Sequence, residues 1–219
     1  MLKVISFCLW GNGPRYTVGA LRNAELCPRV YPGFTARFAV GKSTSREIVE
    51  GLRARGAEVI ERSEPGDWRG MFWRFEAAAD PGVEIMLSRD CDSRLNGREK
   101  AAVDAFLASE KQFHIMRDHP QHNRPILGGM WGVKAPLLRD IDKLITAYVK
   151  GNHYQVDQQF LMRVVHPKIA KVALVHDEFF DHKPFPTVRE GLQFVGQVFD
   201  ENEKTVALHQ QQLAKALKR

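Results

Sequence analysis

Residues 83–99 read VEIMLSRDCDSRLNGRE. An apolar run of strand length stops at Arg89, and two carboxylates, Asp90 and Asp92, come next with one residue between them. Alternate side chains of an extended segment share a face, so this spacing aims both acids the same way from the end of a buried strand. Carboxylates this close repel and raise each other's pKa unless a cation lies between them, and hard oxygen ligands suit Mg2+ or Mn2+. If the strand is interior to an open α/β sheet, its carboxyl end is where ligands collect. The plain alternative is a solvated strand-end loop in which Asp92 and Ser93 only cap the next helix. An Asp-X-Asp triplet alone favours that alternative; its place after an apolar strand, and its company further along the chain, favour the metal.

Upstream of this stretch, strand and helix patterns alternate. Residues 3–10 (KVISFCLW) form a β-rich apolar run stopped by Gly11, Asn12, Gly13 and Pro14, with a helix from about 15 to 26. Amides bared at such a turn can meet a phosphate or a base, which makes Trp10, Gly11 and Asn12 candidate nucleotide contacts. GNG matches no phosphate-loop pattern, however, and a plain strand-to-helix turn explains it equally. Residues 35–40 (TARFAV) and 57–61 (AEVIE) read as further strands around a helix over 44–55. A polar loop over 63–68 leads to a helix expected over 70–79, with Phe72, Trp73 and Phe75 in the core. Its Arg74 either reaches a phosphate or sugar or pairs at a surface. Such alternation implies a largely parallel sheet covered on both faces.

Downstream, Asn96 caps a helix over 97–109, and residues 112–116 (QFHIM) form a strand. The loop MRDHPQHNRP carries His119 and His122 without cysteine partners at zinc spacing, so it is read as substrate-lining or hydrogen-bonded. Residues 126–133 (ILGGMWGV) place three glycines in a β-like run, a sign that another backbone or a ligand approaches closely. Gly128 and Gly129 are therefore candidates, and Trp131 is either core or a sugar platform. A helix over 136–150 is followed by one over 156–165, opened by Asp157. That acid either caps its helix or positions or deprotonates an acceptor hydroxyl at the mouth of a site. A last strand, 170–175 (AKVALV), runs into His176, a candidate metal ligand. From about 188 a loop and a polar helix complete the chain, and with no repeat or linker the whole of 1–219 is read as one domain.

The 219 residues, 44% hydrophobic and 26% charged, suit a soluble globular domain with a real core, and no apolar run spans a bilayer. The N-terminus has no small-residue cleavage site and is read as the first strand. Cys8, Cys27 and Cys91 are odd in number and lack metal-ligand spacing, so a reducing, cytoplasmic setting is expected. The formal charge of +6, partly from Lys215, Lys218 and Arg219, favours anionic partners, whether phosphorylated small molecules or nucleic acid.

Taken in order, these features resemble the GT-A class of nucleotide-sugar-dependent glycosyltransferases, and the spacing is most similar to its glycogenin-like and galactosyltransferase-like members. Asp90-Cys91-Asp92 resembles the Asp-X-Asp motif that holds Mn2+ against the donor diphosphate. ILGGMWG, 126–132, is similar to the small-residue strand beneath the donor sugar. Asp157-Gln158 resembles the Asp-Gln at the head of a helix near the acceptor. HDEFFDHKPF, 176–185, resembles the closing His…Gly…Lys-Pro-aromatic segment, whose His ligates the metal and whose Lys contacts phosphate. The chain departs from that last pattern: one extra residue separates His176 from Lys183, and Phe179 or Phe180 stands where Gly is expected. His176 and His182 thus compete as the ligand. The resemblance spans about 4–185 of a chain that is short for the class.

The resemblance implies a GT-A-type, Rossmann-like α/β/α sandwich with a mostly parallel central sheet. It further implies metal-dependent transfer of a sugar from a nucleotide diphosphate sugar, uridine-linked for example, to a hydroxyl of a saccharide, protein or nucleic-acid acceptor. In that scheme Asp90, Asp92 and His176 hold Mn2+ or Mg2+, and Trp10, Gly11 and Asn12 lie near the base. Arg74, Arg89 and Lys183 add positive charge, and Gly128 and Gly129 underlie the donor sugar. Asp92 and Asp157 are the catalytic residues. Two rivals are a sugar-phosphate nucleotidyltransferase, for which GNGPR is a poor phosphate loop, and a non-catalytic nucleotide or nucleic-acid binder. The second has the basic charge but no aromatic-basic sheet motif.

Overall fold

The alternating pattern builds one seven-stranded sheet in a computed structural model that describes residues 1–148 and 151–218. Strands β1 (Leu2–Leu9), β2 (Thr35–Val40), β3 (Glu58–Glu61), β4 (Val83–Ser88), β5 (Phe113–Arg117), β6 (Trp131–Lys134) and β7 (Ala173–Asp177) lie in the order β3-β2-β1-β4-β6-β5-β7. Among the described residues only β6 is antiparallel to its neighbours, β4 and β5; the other pairs run parallel.

Both faces are covered, which is why β1 is an almost unbroken apolar run. Ile5, Phe7 and Leu9 point to a core shared with α1 (Pro14–Val30), α2 (Arg46–Ala54) and α3 (Gly97–Ala108). Val4 points the other way, into a core with Phe72, Phe75, Met86, Phe113 and Trp131. That second layer is closed by α4 (Ile141–Tyr148) and α5 (Val156–Phe160). The result is an α/β/α sandwich.

Several elements differ from the sequence reading. In place of a helix over 70–79 the chain makes two short 3-10 turns, Trp68–Phe72 and Glu76–Ala78. One helical stripe cannot bury Phe72 and Phe75, lay Trp73 edge-on against Trp10 (6.1 Å) and still aim Arg74 elsewhere. The glycine run is strand only from Trp131, because its first half bends into a loop. Trp131 is fully buried and stacks on Phe113 at 5.1 Å, so it is core and not a sugar platform. The helix expected over 136–150 is a 3-10 turn, Ala135–Leu138, followed by α4; Lys150 lies outside the described residues. After α5 the helix continues through a π turn, Leu161–Val165, into α6 (His166–Ile169). Pro167 has no N–H for the carbonyl four residues back, which accounts for the widened turn.

Beyond residue 188 the chain runs largely as loop, past Asp118 after β5 and Asp92 after β4, to α7 (Ala207–Ala216), and Arg219 lies outside the described residues. Asp118, fully buried after β5, accepts from Arg98 (2.9 Å), Arg189 (2.5 Å) and the Val195 N–H (2.9 Å), tying the tail down. Among the described residues no helix is long and apolar enough to cross a membrane. All three cysteines are free and buried.

Candidate active site

Beyond Ser88 the chain leaves β4 with its side chains still alternating, and the alternation separates Arg89 from Asp90. Arg89 turns inward: its Nε donates to Glu99 Oε1 at 2.7 Å, and Nη1 donates to the carbonyls of Ser88 (2.7 Å) and Trp131 (3.0 Å). The same Glu99 oxygen accepts from the Tyr31 hydroxyl at 2.7 Å. Arg89 is therefore a buried strut between β4, β6 and α3, not the donor contact expected from sequence. A buried guanidinium must find its counter-charge, and α3 supplies it from Glu99 in its first turn.

Asp90 points to the opposite side and meets Arg74. The Arg74 guanidinium donates through Nη1 to Asp90 Oδ1 at 2.6 Å and through Nη2 to Asp157 Oδ2 at 2.8 Å. Arg74 and Asp157 are each 2% exposed, whereas the Asp90 side chain is 41% exposed. Burial works against the charge on Arg74, but Asp90 and Asp157 outweigh it and hold the pKa above the ordinary value. Burial raises the pKa of Asp157 against the pull of Arg74.

The glycines explain how this trio fits. A methyl on Gly129 would overlap the Asp90 carboxylate, and one on Gly128 would overlap Arg74, Asp157 and Gln158. Ser88 Oγ donates to the Gly128 carbonyl at 2.6 Å, while the Gln158 amide accepts from the Gly128 N–H (2.8 Å) and donates to the Ile126 carbonyl (3.3 Å). The close approach foretold by the glycines is thus made by charged side chains of this chain.

In front of the trio opens a cavity of about 770 Å³ at the adjacent carboxyl ends of β1 and β4. Asp90, Asp92, Arg74 and Asp157 all reach its wall, with Trp10 and Tyr16 beside them. Burial and the neighbouring Asp90 charge push the Asp92 carboxyl up to about 6. Two converging hard oxygen ligands, one of them reluctant to ionise unaided, fit Mg2+ or Mn2+. Among the described residues no set of three His, Cys, Asp or Glu side chains could hold a metal. The acid pair therefore suits a cation whose remaining ligands are water and the oxygens of an anionic substrate.

Neither candidate histidine joins the acid pair. His176 belongs to β7, which β6 and β5 separate from β4, roughly 14 Å at ordinary strand spacing. Its Nδ1 lies 2.8 Å from His114 Nε2, and its ring is buried beside Phe185. His182 is exposed, with a positive φ of 50°. Lys183 exchanges backbone hydrogen bonds with Asp177, and its 55% exposed side chain faces Asp181, away from the cavity wall. Gly11 and Asn12 secure the start of α2: the Gly11 N–H donates to Ser43 Oγ (2.8 Å), and Asn12 Oδ1 accepts from the Ser45 N–H (2.7 Å). Trp10, packed over Gly66 and Gly70, is the part of that turn on the wall.

Other wall residues were not singled out from sequence. Asp67 and Trp68 come from the polar loop, and Asn152, Tyr154 and Gln155 lie two to five residues before Asp157. A tryptophan in a polar loop and an aromatic three residues before the Asp-Gln pair were the available signals. In the His-rich loop, Gln121, Asn123 and Arg124 face the cavity. His122 Nδ1 accepts from the Asp118 N–H (3.0 Å), while His119 accepts from the Gln121 N–H (3.1 Å) and faces the His209 carbonyl (2.9 Å). From the tail, Val198 reaches the wall and the Phe199 N–H donates to the Asp92 carbonyl at 2.8 Å.

No family model and no curated protein sequence matches the chain. Solved structures do match. A glycosyltransferase involved in the glycosylation of the major capsid of PBCV-1 superposes with a TM-score of 0.56 at 18% identity, over 83% of this chain and 84% of that one. Glucosyl-3-phosphoglycerate synthase from Mycobacterium tuberculosis, in complex with Mn2+, uridine-diphosphate-glucose and glycerol 3-phosphate, gives 0.53 at 14% identity, over 80% and 69% of the two chains. Another structure of that synthase gives 0.54 at 15% identity, over 86% and 72%. At these identities the likeness is one of fold, and the fold is that of the GT-A glycosyltransferases.

Proposed function

We propose that the chain is a glycosyltransferase that moves a sugar from a nucleoside diphosphate sugar, bound with Mn2+ or Mg2+, to an acceptor hydroxyl. The observation that carries this reading is the convergence of Asp90, Asp92 and Asp157 on one cavity at the carboxyl ends of β1 and β4. A structure of the same fold binds Mn2+ and uridine-diphosphate-glucose, which supports it.

In the reaction the bond between the anomeric carbon and the diphosphate oxygen breaks. The acceptor oxygen bonds to that carbon, its proton passes to water or to the departing diphosphate, and the nucleoside diphosphate leaves. When bound on Asp90 and Asp92, the cation would offset the negative charge growing on the leaving group. Arg74 holds Asp90 and Asp157 in fixed relation, so these two carboxylates are presented without rearrangement. With Oδ2 already accepting from Arg74, Asp157 is suited to orient sugar hydroxyls through its other oxygen. Trp10 and Tyr16 wall the same cavity and would cover part of a bound donor.

The test is a panel of nucleotide sugars offered to purified protein with Mn2+, read by thermal shift and slow donor hydrolysis. Asp92→Asn is expected to abolish Mn2+-dependent release of nucleoside diphosphate while the ligand-free melting curve stays put. Undiminished release in that variant would end the proposal, and release of pyrophosphate would reassign the site to nucleotidyl transfer.

A further inference from the structure

Two aromatic rings at the mouth of the cavity take no part in that chemistry. Trp68 is 43% exposed and Tyr154 is 67% exposed. They come from segments far apart in sequence, yet their ring centroids lie 5.2 Å apart with planes at 68°. The two segments are also joined by a polar bond: Asn152 Nδ2 donates to Asp67 Oδ2 at 2.9 Å, and Arg69 Nη2 donates to the same oxygen at 2.7 Å. Beyond Tyr154, Gln155 has a φ of 64°, a region in which a side chain of that kind is uncommon, and its Oε1 accepts from Arg124 Nη2 at 2.7 Å. Exposed aromatics scattered singly need no explanation; a pair assembled from two loops over a cavity does.

We infer that this mouth is the acceptor subsite and that its ligand is an uncharged saccharide whose ring lies on Trp68 and Tyr154. The inference rests on the transferase reading and names its acceptor class. A pyranose presents a face of C–H groups and a rim of hydroxyls, so it suits an exposed aromatic surface bordered by groups that both donate and accept. Asp67, Asn152, Gln155 and Arg124 are that border. Charge disfavours an acidic acceptor: Asp67, Asp90, Asp92 and Asp157 face the cavity against Arg74 and Arg124, and Arg74 is already shared by two carboxylates. Geometry disfavours a nucleobase, because rings steeply inclined to each other offer one face and one edge instead of a parallel slot.

The experiment is saturation-transfer NMR without donor, using methyl glycosides of glucose, galactose and mannose and the disaccharide maltose, with glycerol 3-phosphate and uridine as rival probes. UDP with Mn2+ is titrated separately into the wild-type protein. Saturation is expected to reach at least one glycoside, with binding weakened about tenfold or more by Trp68→Ala and by Tyr154→Ala and recovered in Trp68→Phe. Both rings are solvent-exposed, and thermal melts verify that the variants fold. The assignment is overturned if glycerol 3-phosphate outcompetes every glycoside, or if Trp68→Ala weakens uridine as much as it weakens sugar. Binding of UDP without any glycoside would overturn the saccharide assignment alone. Binding of glycosides without UDP would overturn the donor reading and leave the saccharide assignment standing.

Discussion

Arg74 is the residue on which the arrangement of the cavity turns, since it bonds to two carboxylates brought from widely separated parts of the chain. Removing it leaves Asp157, 2% exposed, without a counter-charge. Arg74→Ala is therefore expected to destabilise the fold by about 3–5 kcal/mol in urea unfolding, and Arg74→Lys by less, because a point charge can still serve one carboxylate. A wild-type midpoint in Arg74→Ala would mean that the trio does not form in solution. Gly129→Ala tests the same neighbourhood from behind. The added methyl must displace Asp90, so about 1–3 kcal/mol of stability and most of the Mn2+ affinity should be lost together, as read by unfolding and by metal titration. From sequence the arginine, the acids and the glycines were each visible as candidates. Their partnership was not, because a salt bridge between distant residues leaves no periodicity behind.

Among the elements, α3 and the β5–β7 pair make separate predictions. Asn96 Oδ1 accepts from the Glu99 N–H at 2.9 Å, the N-cap that the sequence announces. Asn96→Ala should cost about 1 kcal/mol, measurable as a shift in urea midpoint at unchanged slope. On β5 and β7, His114 and His176 face each other at 2.8 Å. Burial holds His114 well below its ordinary 6.5, helped by His176 and Arg89. His176 is lowered by burial and by Arg98, against Glu178. Below about pH 6.5 the unfolded chain takes up protons that these folded imidazoles refuse. Their contribution is therefore complete above that pH and declines below it, by up to about 1.4 kcal/mol per pH unit for each histidine. His119 and His122 are lowered as well and Asp92 is raised, so the test is a difference: urea midpoints from pH 8 to 5.5 should fall less on the acid side in a His114→Gln, His176→Gln double variant than in wild type, and equal falls would show that both rings protonate freely in the folded protein.

At the scale of the whole molecule, the tail and the cavity are one construction. Asp118 gathers Arg98, Arg189 and the Val195 N–H, and a few residues later the Phe199 N–H rests on the Asp92 carbonyl. Asp118→Ala should leave Arg189 without its carboxylate and Arg98 with Glu178 alone, lower stability by about 3–5 kcal/mol, and open the chain at Arg189 to trypsin. An unchanged digestion pattern would mean that the tail is held by other contacts. The sequence by itself determined the strand–helix alternation, the bounds of β2 (Thr35–Val40) and the Asn96 cap, because each follows from side-chain periodicity or from neighbours within one turn. The tertiary structure alone decided that Arg89 faces the core, that Arg74 is shared by two acids, and that His176 pairs with His114 instead of joining the acid pair. Strand order sets the distance between β4 and β7, and a buried charge takes whichever opposite charge the folded chain brings to it. Both are long-range outcomes of packing, and no local pattern of residues encodes them.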